Sequence, residues 1–390
     1  MRIPLLILVL IFLQTSSFGQ QKEIDSLLNL TKTAVDSQSI AYAHGRLAWL
    51  LMYKDLDVSF AHNDSAMRIY KNLSDTKNIA ISHYKYGVLQ RIRGNFSKAI
   101  TSMEKYRDYV AQQQDTFGLA NSFFQLGAIH SNKGDYENAL ESYFNALEIY
   151  EDRRDSTAMG FTMNSIGIVY KNLRKYSDAI EFYKQVIDIH EKRRDSNRLA
   201  NAHHNIGSVY HEQKDFKKAL EYYFSSNSLN SETENQWGLA LNYTDIGSVF
   251  MEEKEYEKAI EYLNQAYAIQ LINNYTDNMG LTLANLGEAY YRTGKYKRAE
   301  RYLNEGIAIA AGSKKLKREL HHNLFELYQQ QGSYKKALDH HKLYAVYNDS
   351  LIDEKSVESI NSLQVRYETA RKDQELARQE LQLKDTENAL

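Results

Sequence analysis

The stretch GDYENALESYFNAL, residues 134–147, is written seven times with variations. Its near-copies are GNFSKAITSMEKYR (94–107), RKYSDAIEFYKQVI (174–187), KDFKKALEYYFSSN (214–227), KEYEKAIEYLNQAY (254–267), GKYKRAERYLNEGI (294–307) and GSYKKALDHHKLYA (332–345). The shared alanines are Ala99, Ala139, Ala179, Ala219, Ala259, Ala299 and Ala337, so the step is 40 residues five times and 38 at the end. A second series, Gly87, Gly127, Gly167, Gly207, Gly247 and Gly287, runs twelve residues ahead of the alanines. A glycine inside a helix costs about 1 kcal/mol relative to alanine. Six at one period need a compensation, and close helix packing supplies it.

One unit predicts a first helix from about Thr157 to Leu173, a turn at Arg174 and Lys175, and a second helix from about Ser177 to Glu191. Met163, Ile166, Gly167 and Tyr170 share one face of the first, and Ala179, Tyr183 and Val186 one face of the second. Gly167 opposite Ala179 lets two helices approach at the short end of the usual interaxial range, with Tyr170 and Tyr183 filling the space beside them. Asp75, Asp115, Asp155, Asp195 and Asn235 fall just before a first helix, where a short polar side chain can accept the free N–H groups of the opening turn. Solvated loop acids are the alternative reading of those five.

Composition agrees with an all-α chain. The only proline in 390 residues is Pro4, no Gly/Ser-rich linker occurs, and strict apolar/polar alternation is absent. A formal charge of −2 with acids and bases intermixed gives no basic footprint for nucleic acid. The lack of cysteine removes disulfides, thiol nucleophiles and thiolate metal sites. The start, MRIPLLILVLIFLQTSSFGQ, has Arg2, an apolar run from Leu5 to Leu13, and Ser17 and Gly19 at the −3 and −1 positions of a signal-peptidase site. It predicts a signal peptide over 1–19, cleaved after Gly19, and an extracytoplasmic, periplasmic address. An uncleaved anchor is the alternative, though the apolar run is far shorter than the ~20 residues of a spanning helix. With no cysteine after the run, no lipoprotein anchor is expected.

The phase Leu126-Gly127, His130, Ala139, Tyr143, Ala146 returns as Ile166-Gly167, Tyr170, Ala179, Tyr183 and as Leu286-Gly287, Tyr290, Ala299. It resembles the tetratricopeptide repeat, marked by L-G-x₂-Y followed by a spaced alanine. The resemblance covers residues 80 to about 345. Gln90 and His130 stand where the family has tyrosine, Phe325 where it has glycine, and the 40-residue unit exceeds the usual 34. Leu47, Ala48 and Leu51 read as a worn earlier copy, with a helix from Ile24 to Val35 covering the open end. The resemblance implies a right-handed superhelical solenoid in which each hairpin is the wall against which the next one folds. The expected division is a capping helix and degenerate repeat over 22–78, an array of about seven repeats over 79–348, and a charged C-terminal helix over 349–390.

In this family the first helices line a concave wall that binds peptides or proteins. Carried over by phase, the exposed positions are Tyr84, Val88 and Arg91; Phe124, Ala128 and Ser131; Asn164, Ile168 and Lys171; His204, Ser208 and His211; and Glu288, Tyr291 and Arg292. Of these, Tyr84, Arg91, Phe124, Asn164, Lys171, His204, His211, Tyr291 and Arg292 are the candidate binding residues, through amide contacts to a peptide backbone and aromatic contacts to its side chains. An ordinary wet surface is the alternative at each. The Lys/Asn carboxylate clamp of chaperone-binding relatives is missing, so a free C-terminus is not the expected ligand.

Beyond Tyr347 the tail is charged and helical in pattern, with Ile360, Leu363, Tyr367, Ala370, Ala377 and Leu381 at 3–4 spacing. It reads as a dimerising or signal-passing coiled coil, as a helix folded back on the array, or as a single charged helix. Signal peptide, repeats and terminal helix together resemble the extracytoplasmic part of bacterial sensor histidine kinases, which implies a membrane-signalling partner, yet no phosphoacceptor helix or ATP lid is present. Histidines are the only metal or catalytic candidates, as His203/His204, His321/His322 and His340/His341. Neighbours on a helix diverge by about 100°, and His203, His321 and His341 fall on apolar phases, which favours packing. With no H-E-x-x-H, G-x-S-x-G or phosphate loop, the expectation is a non-enzymatic scaffold with no cofactor and no metal, acting as a sensory or adaptor module. The input half of a transmembrane kinase is the alternative.

Overall fold

The turns explain the regularity of the chain. In a computed structural model that describes residues 20–310 and 313–348, Asp75, Asp115, Asp155, Asp195 and Asn235 each accept a hydrogen bond from the backbone N–H three residues on, at 2.9–3.2 Å. The expected caps are therefore real. The N–H of each cap residue also donates back to the carbonyl five residues earlier, as Asp75 does to Tyr70 at 2.9 Å and Asp195 to His190 at 3.0 Å. One residue thus closes the helix before it and opens the helix after it. The residue just ahead must adopt a left-handed backbone. Gly94, Gly134, Gly294 and Gly332 do so without strain, but Ser74, Gln114, Arg154, Arg174, Arg194, Lys214, Glu234, Lys254 and Asn274 do so with side chains.

Between these turns lie α1 (20–33), α2 (Ser37–Leu50), α3 (Leu56–Asn72), α4 (Thr76–Arg93), α5 (Phe96–Gln112), α6 (Thr116–Lys133), α7 (Tyr136–Asp152) and α8 (Ser156–Asn172). They continue as α9 (Tyr176–Arg193), α10 (Ser196–Glu212), α11 (Phe216–Glu232), α12 (Gln236–Glu252), α13 (Tyr256–Asn273), α14 (Thr276–Arg292), α15 (Tyr296–Ile309), α16 (Lys314–Gln330) and α17 (Tyr334–Asn348). The protein is all-α, and the expected bounds of the unit at 157–191 hold to within two residues. The segments 1–19 and 349–390, which carry the expected signal peptide and terminal helix, lie outside the described residues. None of the described helices is long and apolar enough to cross a membrane.

The described residues divide inside α8, between Thr162 and Met163, into two compact units. In the first, the hairpins α2/α3, α4/α5 and α6/α7 stack in order. Ala41, Ala66, Ala99, Ala120, Ala139 and Ala146 are fully buried where helices meet, with Leu47, Leu89, Met103 and Ile129 filling the space between them. Ile24 and Leu27 of α1 pack on Ala43 and Leu47, so α1 covers that end, as expected. In the second unit, α10/α11, α12/α13, α14/α15 and α16/α17 stack likewise around one core running from Ala219 to Ala337.

The glycines of the 40-residue series make room for the second helix of their own hairpin. A Cβ on Gly127, Gly167 or Gly207 would stand 2.6–2.8 Å from the ring of Tyr143, Tyr183 or Tyr223, and on Gly247 or Gly287 it would meet Leu263 or Leu303 at 2.4–2.5 Å. The nearest partner is thus sixteen residues on, whereas the alanine twelve residues on enters this contact only through its carbonyl, as Ala99 and Ala219 do at 3.2 Å. Tyr183 and Tyr223 bury completely in the space so opened.

Candidate functional site

First helices have two kinds of neighbour. Besides their hairpin partners, α2 touches α4 and α4 touches α6 in one unit, while α10 touches α12, α12 touches α14 and α14 touches α16 in the other. No two described second helices meet in this way. First helices therefore line the inner side of the bend within each unit, and their core-averted side chains define its inner face.

In the first unit this face holds a pocket of about 400 Å³ lined by Arg46 and Trp49 of α2, Ile81, Tyr84 and Lys85 of α4, Tyr106 of α5 and Asn121 of α6. The Tyr84 ring lies 6.3 Å from Trp49, stacked, and 5.0 Å from Tyr106, edge-on. Lys85 donates to the Gly45 carbonyl at 2.7 Å. Burial, and then the Arg46 charge, lower its pKa to about 8. Burial pushes Tyr106 up to about 12, so that phenol stays neutral. Arg46 uses Nε on Glu23 at 2.9 Å, which leaves its terminal nitrogens at the rim. Further along, Phe124 rests on Tyr143 at 5.6 Å, and Arg91 is half-buried with its Nε unpaired.

In the second unit the face is a row of side chains bonded across neighbouring first helices. Asn205 donates to the Asn164 amide at 2.7 Å, and Lys171 reaches the Ser208 hydroxyl at 3.0 Å and Glu212 at 3.6 Å. His204 bonds Asn242 through Nδ1 at 2.6 Å and approaches the Asp245 carboxylate through Nε2 at 3.5 Å. His211 bonds Glu252 at 2.9 Å, and Asn285 donates to Ser248 at 2.8 Å. Burial raises the pKa of Asp245, and His204, His211 and Lys171 pull it back. Arg292 is exposed and grips Glu288 at 3.2–3.3 Å.

Two expected positions differ. Val88 and Tyr291 are each 3 % exposed rather than open to the face. Val88 joins the core of its unit, and Tyr291 joins the core of the second unit, its hydroxyl turned to Glu326 at 3.5 Å. The 3.6-residue helical period, applied to a face slightly too wide, brought them in. Of the histidines, His203 lies half-buried against Tyr222 and His321 is buried on His340 at 3.0 Å, whereas His341 is exposed although its ring meets Phe325. Among the described residues, no three metal-ligating side chains converge.

The phase reading missed Trp49, Lys85, Tyr106, Asn205 and Asp245. A signal for most of them was present: the residue two places before each glycine of the 40-residue series is Lys85, Gln125, Ser165, Asn205, Asp245 or Asn285, a polar series on the same beat. Trp49 and Arg46 stood in the worn copy, where the phase was hardest to read.

Comparison with known proteins gives the same picture. The tetratricopeptide-repeat family matches residues 118–192, 200–231 and 238–312. No curated protein matches the sequence. Among solved structures, a signal transduction ATPase with numerous domains and a tetratricopeptide repeat sensor, from Pyrococcus horikoshii, aligns at 17% identity and TM-score 0.59, over 85% of this chain and 52% of that one. Aspartyl phosphate phosphatase F from Bacillus subtilis aligns at 14% identity and TM-score 0.58, over 84% and 94%. The apo quorum sensor NprR from B. thuringiensis aligns at 17% and 0.57, over 86% and 99%. At such identities the likeness is one of fold, and the likeness to sensor histidine kinases gains no support from it. On these grounds residues 118–192, 200–231 and 238–312 are tetratricopeptide repeats.

Proposed function

We propose that this is a non-enzymatic scaffold that binds an extended peptide or protein segment on the inner faces of its first helices, as a sensory or adaptor module outside the cytoplasm. The Asn164–Asn205 pair carries the reading. One amide N–H₂ and one amide oxygen are used in their mutual bond. Whichever way the two amides are assigned, one donor group and one acceptor remain. That remainder is the complement of a peptide unit, and the neighbouring bonds of Lys171, His204 and His211 hold the row at fixed positions before any ligand arrives. The extracytoplasmic address rests on the leader-like residues 1–19. The sensory role draws on the sensor named in the Pyrococcus ATPase and on NprR being a quorum sensor.

The reading is tested by selecting binders from a random peptide display library against the full chain. Replacing Asn205 by alanine is expected to weaken the selected peptides about tenfold, the worth of one or two hydrogen bonds to a desolvated backbone. Affinity unchanged in Asn205→Ala and in His204→Ala would remove the row around Asn205 from consideration.

A further inference from the structure

We propose that the pocket between α2, α4, α5 and α6 is a specificity subsite that takes a carboxylate carried beside an aromatic or aliphatic side chain of the bound segment. This deepens the reading of the inner faces as the peptide-binding surface and rests on it.

Three observations meet there. The pocket is roomy, at about 400 Å³, and walled by Trp49, Tyr84, Tyr106 and Ile81, so an apolar group entering it loses water on several sides. Its polar groups are cationic or neutral: the Lys85 ammonium, the Arg46 guanidinium, the Asn121 amide and two phenols. Among the described residues, the only carboxylate paired with them is Glu23, which reaches Arg46 from α1 outside the lining and whose side chain is 41% exposed. Lys85 itself spends one N–H on the Gly45 carbonyl and has two left.

An ammonium held away from water without a counter-charge is a standing cost, as the drop of its pKa to about 8 records. A ligand carboxylate would remove that cost, forming charge-assisted bonds to Lys85 and to the free end of Arg46. A ligand cation would meet two like charges and is refused. Asn121, which also lines the pocket, accepts from the Tyr150 hydroxyl at 2.9 Å through its amide oxygen, so its remaining polar group is the N–H₂, a donor. The carboxylate can come from an internal acidic residue or from a chain end, and the pocket chemistry is the same for both.

The test uses the full chain in a Trp237→Phe background, where Trp49 is the sole tryptophan and its fluorescence reports on this pocket alone. The probes are two N-acetylated, C-amidated hexapeptides, Gly-Gly-Phe-Glu-Gly-Gly and its Gln counterpart, together with Gly-Gly-Gly-Phe in free-acid and amidated form. The expected result is that at least one acid probe binds about tenfold or more tightly than its neutral twin. That ratio should fall to near one in Lys85→Met and persist in Lys85→Arg. The pair that shows the preference identifies the source of the carboxylate. Equal affinity of acid and neutral probes overturns the subsite while leaving peptide binding in place. No change in Trp49 with any probe overturns it as well, and the row around Asn205 remains testable by its own variants.

Discussion

The Cβ that Gly207 lacks would stand 2.8 Å from the ring of Tyr223, a side chain only 1 % exposed. Alanine normally stabilises a helix interior over glycine by about 1 kcal/mol. Here the clash reverses the sign, because the ring is enclosed and cannot retreat. Gly207→Ala is expected to cost about 1–3 kcal/mol in urea unfolding. In a double-mutant cycle with Tyr223→Ala, the two losses should be non-additive by a comparable amount, since removing the ring removes the clash. Additive losses would mean that the glycine serves something other than this ring.

Lys85 predicts a pH dependence of the opposite kind from most lysines. Its folded pKa of about 8 lies below the ordinary 10.5. Between those values the unfolded chain holds a proton that the folded chain has released, so this group's contribution to stability rises with pH from about 8 to about 10.5. At pH 7 both states are charged, and the full burial cost is present. Lys85→Met should therefore raise the denaturation midpoint at pH 7 and lose most of that advantage by pH 10. An equal gain at both pH values would show that the ammonium is not held at a cost.

Seven imidazoles act together on the acid side. Burial is the largest cause lowering the pKa of His44, His62, His83, His190, His203, His321 and His340 below the ordinary 6.5. Two pairs face each other through Nδ1, His44 with His62 at 2.7 Å and His321 with His340 at 3.0 Å. As pH falls through 6.5 the unfolded chain gains protons that the folded chain refuses, so stability drops. Urea midpoints measured from pH 7.5 down to 5.5 should decline, and more shallowly in a His62→Phe, His340→Phe variant. A flat profile in the parent would contradict the assignment.

Asp115 closes one turn and opens the next, accepting from the Gly118 N–H at 2.9 Å. Asp115→Ala is expected to cost about 1 kcal/mol, and Asp115→Asn only a few tenths. Thermal unfolding of the two variants beside the parent checks this, and equal losses would point to charge rather than capping.

What the sequence made legible follows from periodicity. Ala139, Gly127 and Asp115 recur because backbone geometry demands them at every repeat, so the hairpins and caps could be located to within a residue or two. The inner face was only half legible. Asn164, Lys171, His204 and His211 were placed by phase, and their partners Asn205, Ser208, Asn242 and Glu252 lie 37 to 41 residues on, at a distance set by stacking rather than by any local pattern. Val88 and Tyr291 were misplaced because helical phase gives direction but not how far a neighbouring helix extends over it. The left-handed residues such as Arg194 and Lys214 were invisible, since nothing in an arginine or a lysine announces a positive φ.

The inner faces are the heart of the account, and photocrosslinking reaches them most directly. A peptide selected on the full chain, carrying a benzophenone side chain, is irradiated in complex and the adducts are mapped by mass spectrometry. Adducts should fall on first-helix residues such as Phe124, Ile168 and Ser208. Adducts confined to exposed second-helix residues such as Phe224, Leu271 and Leu338 would contradict the account.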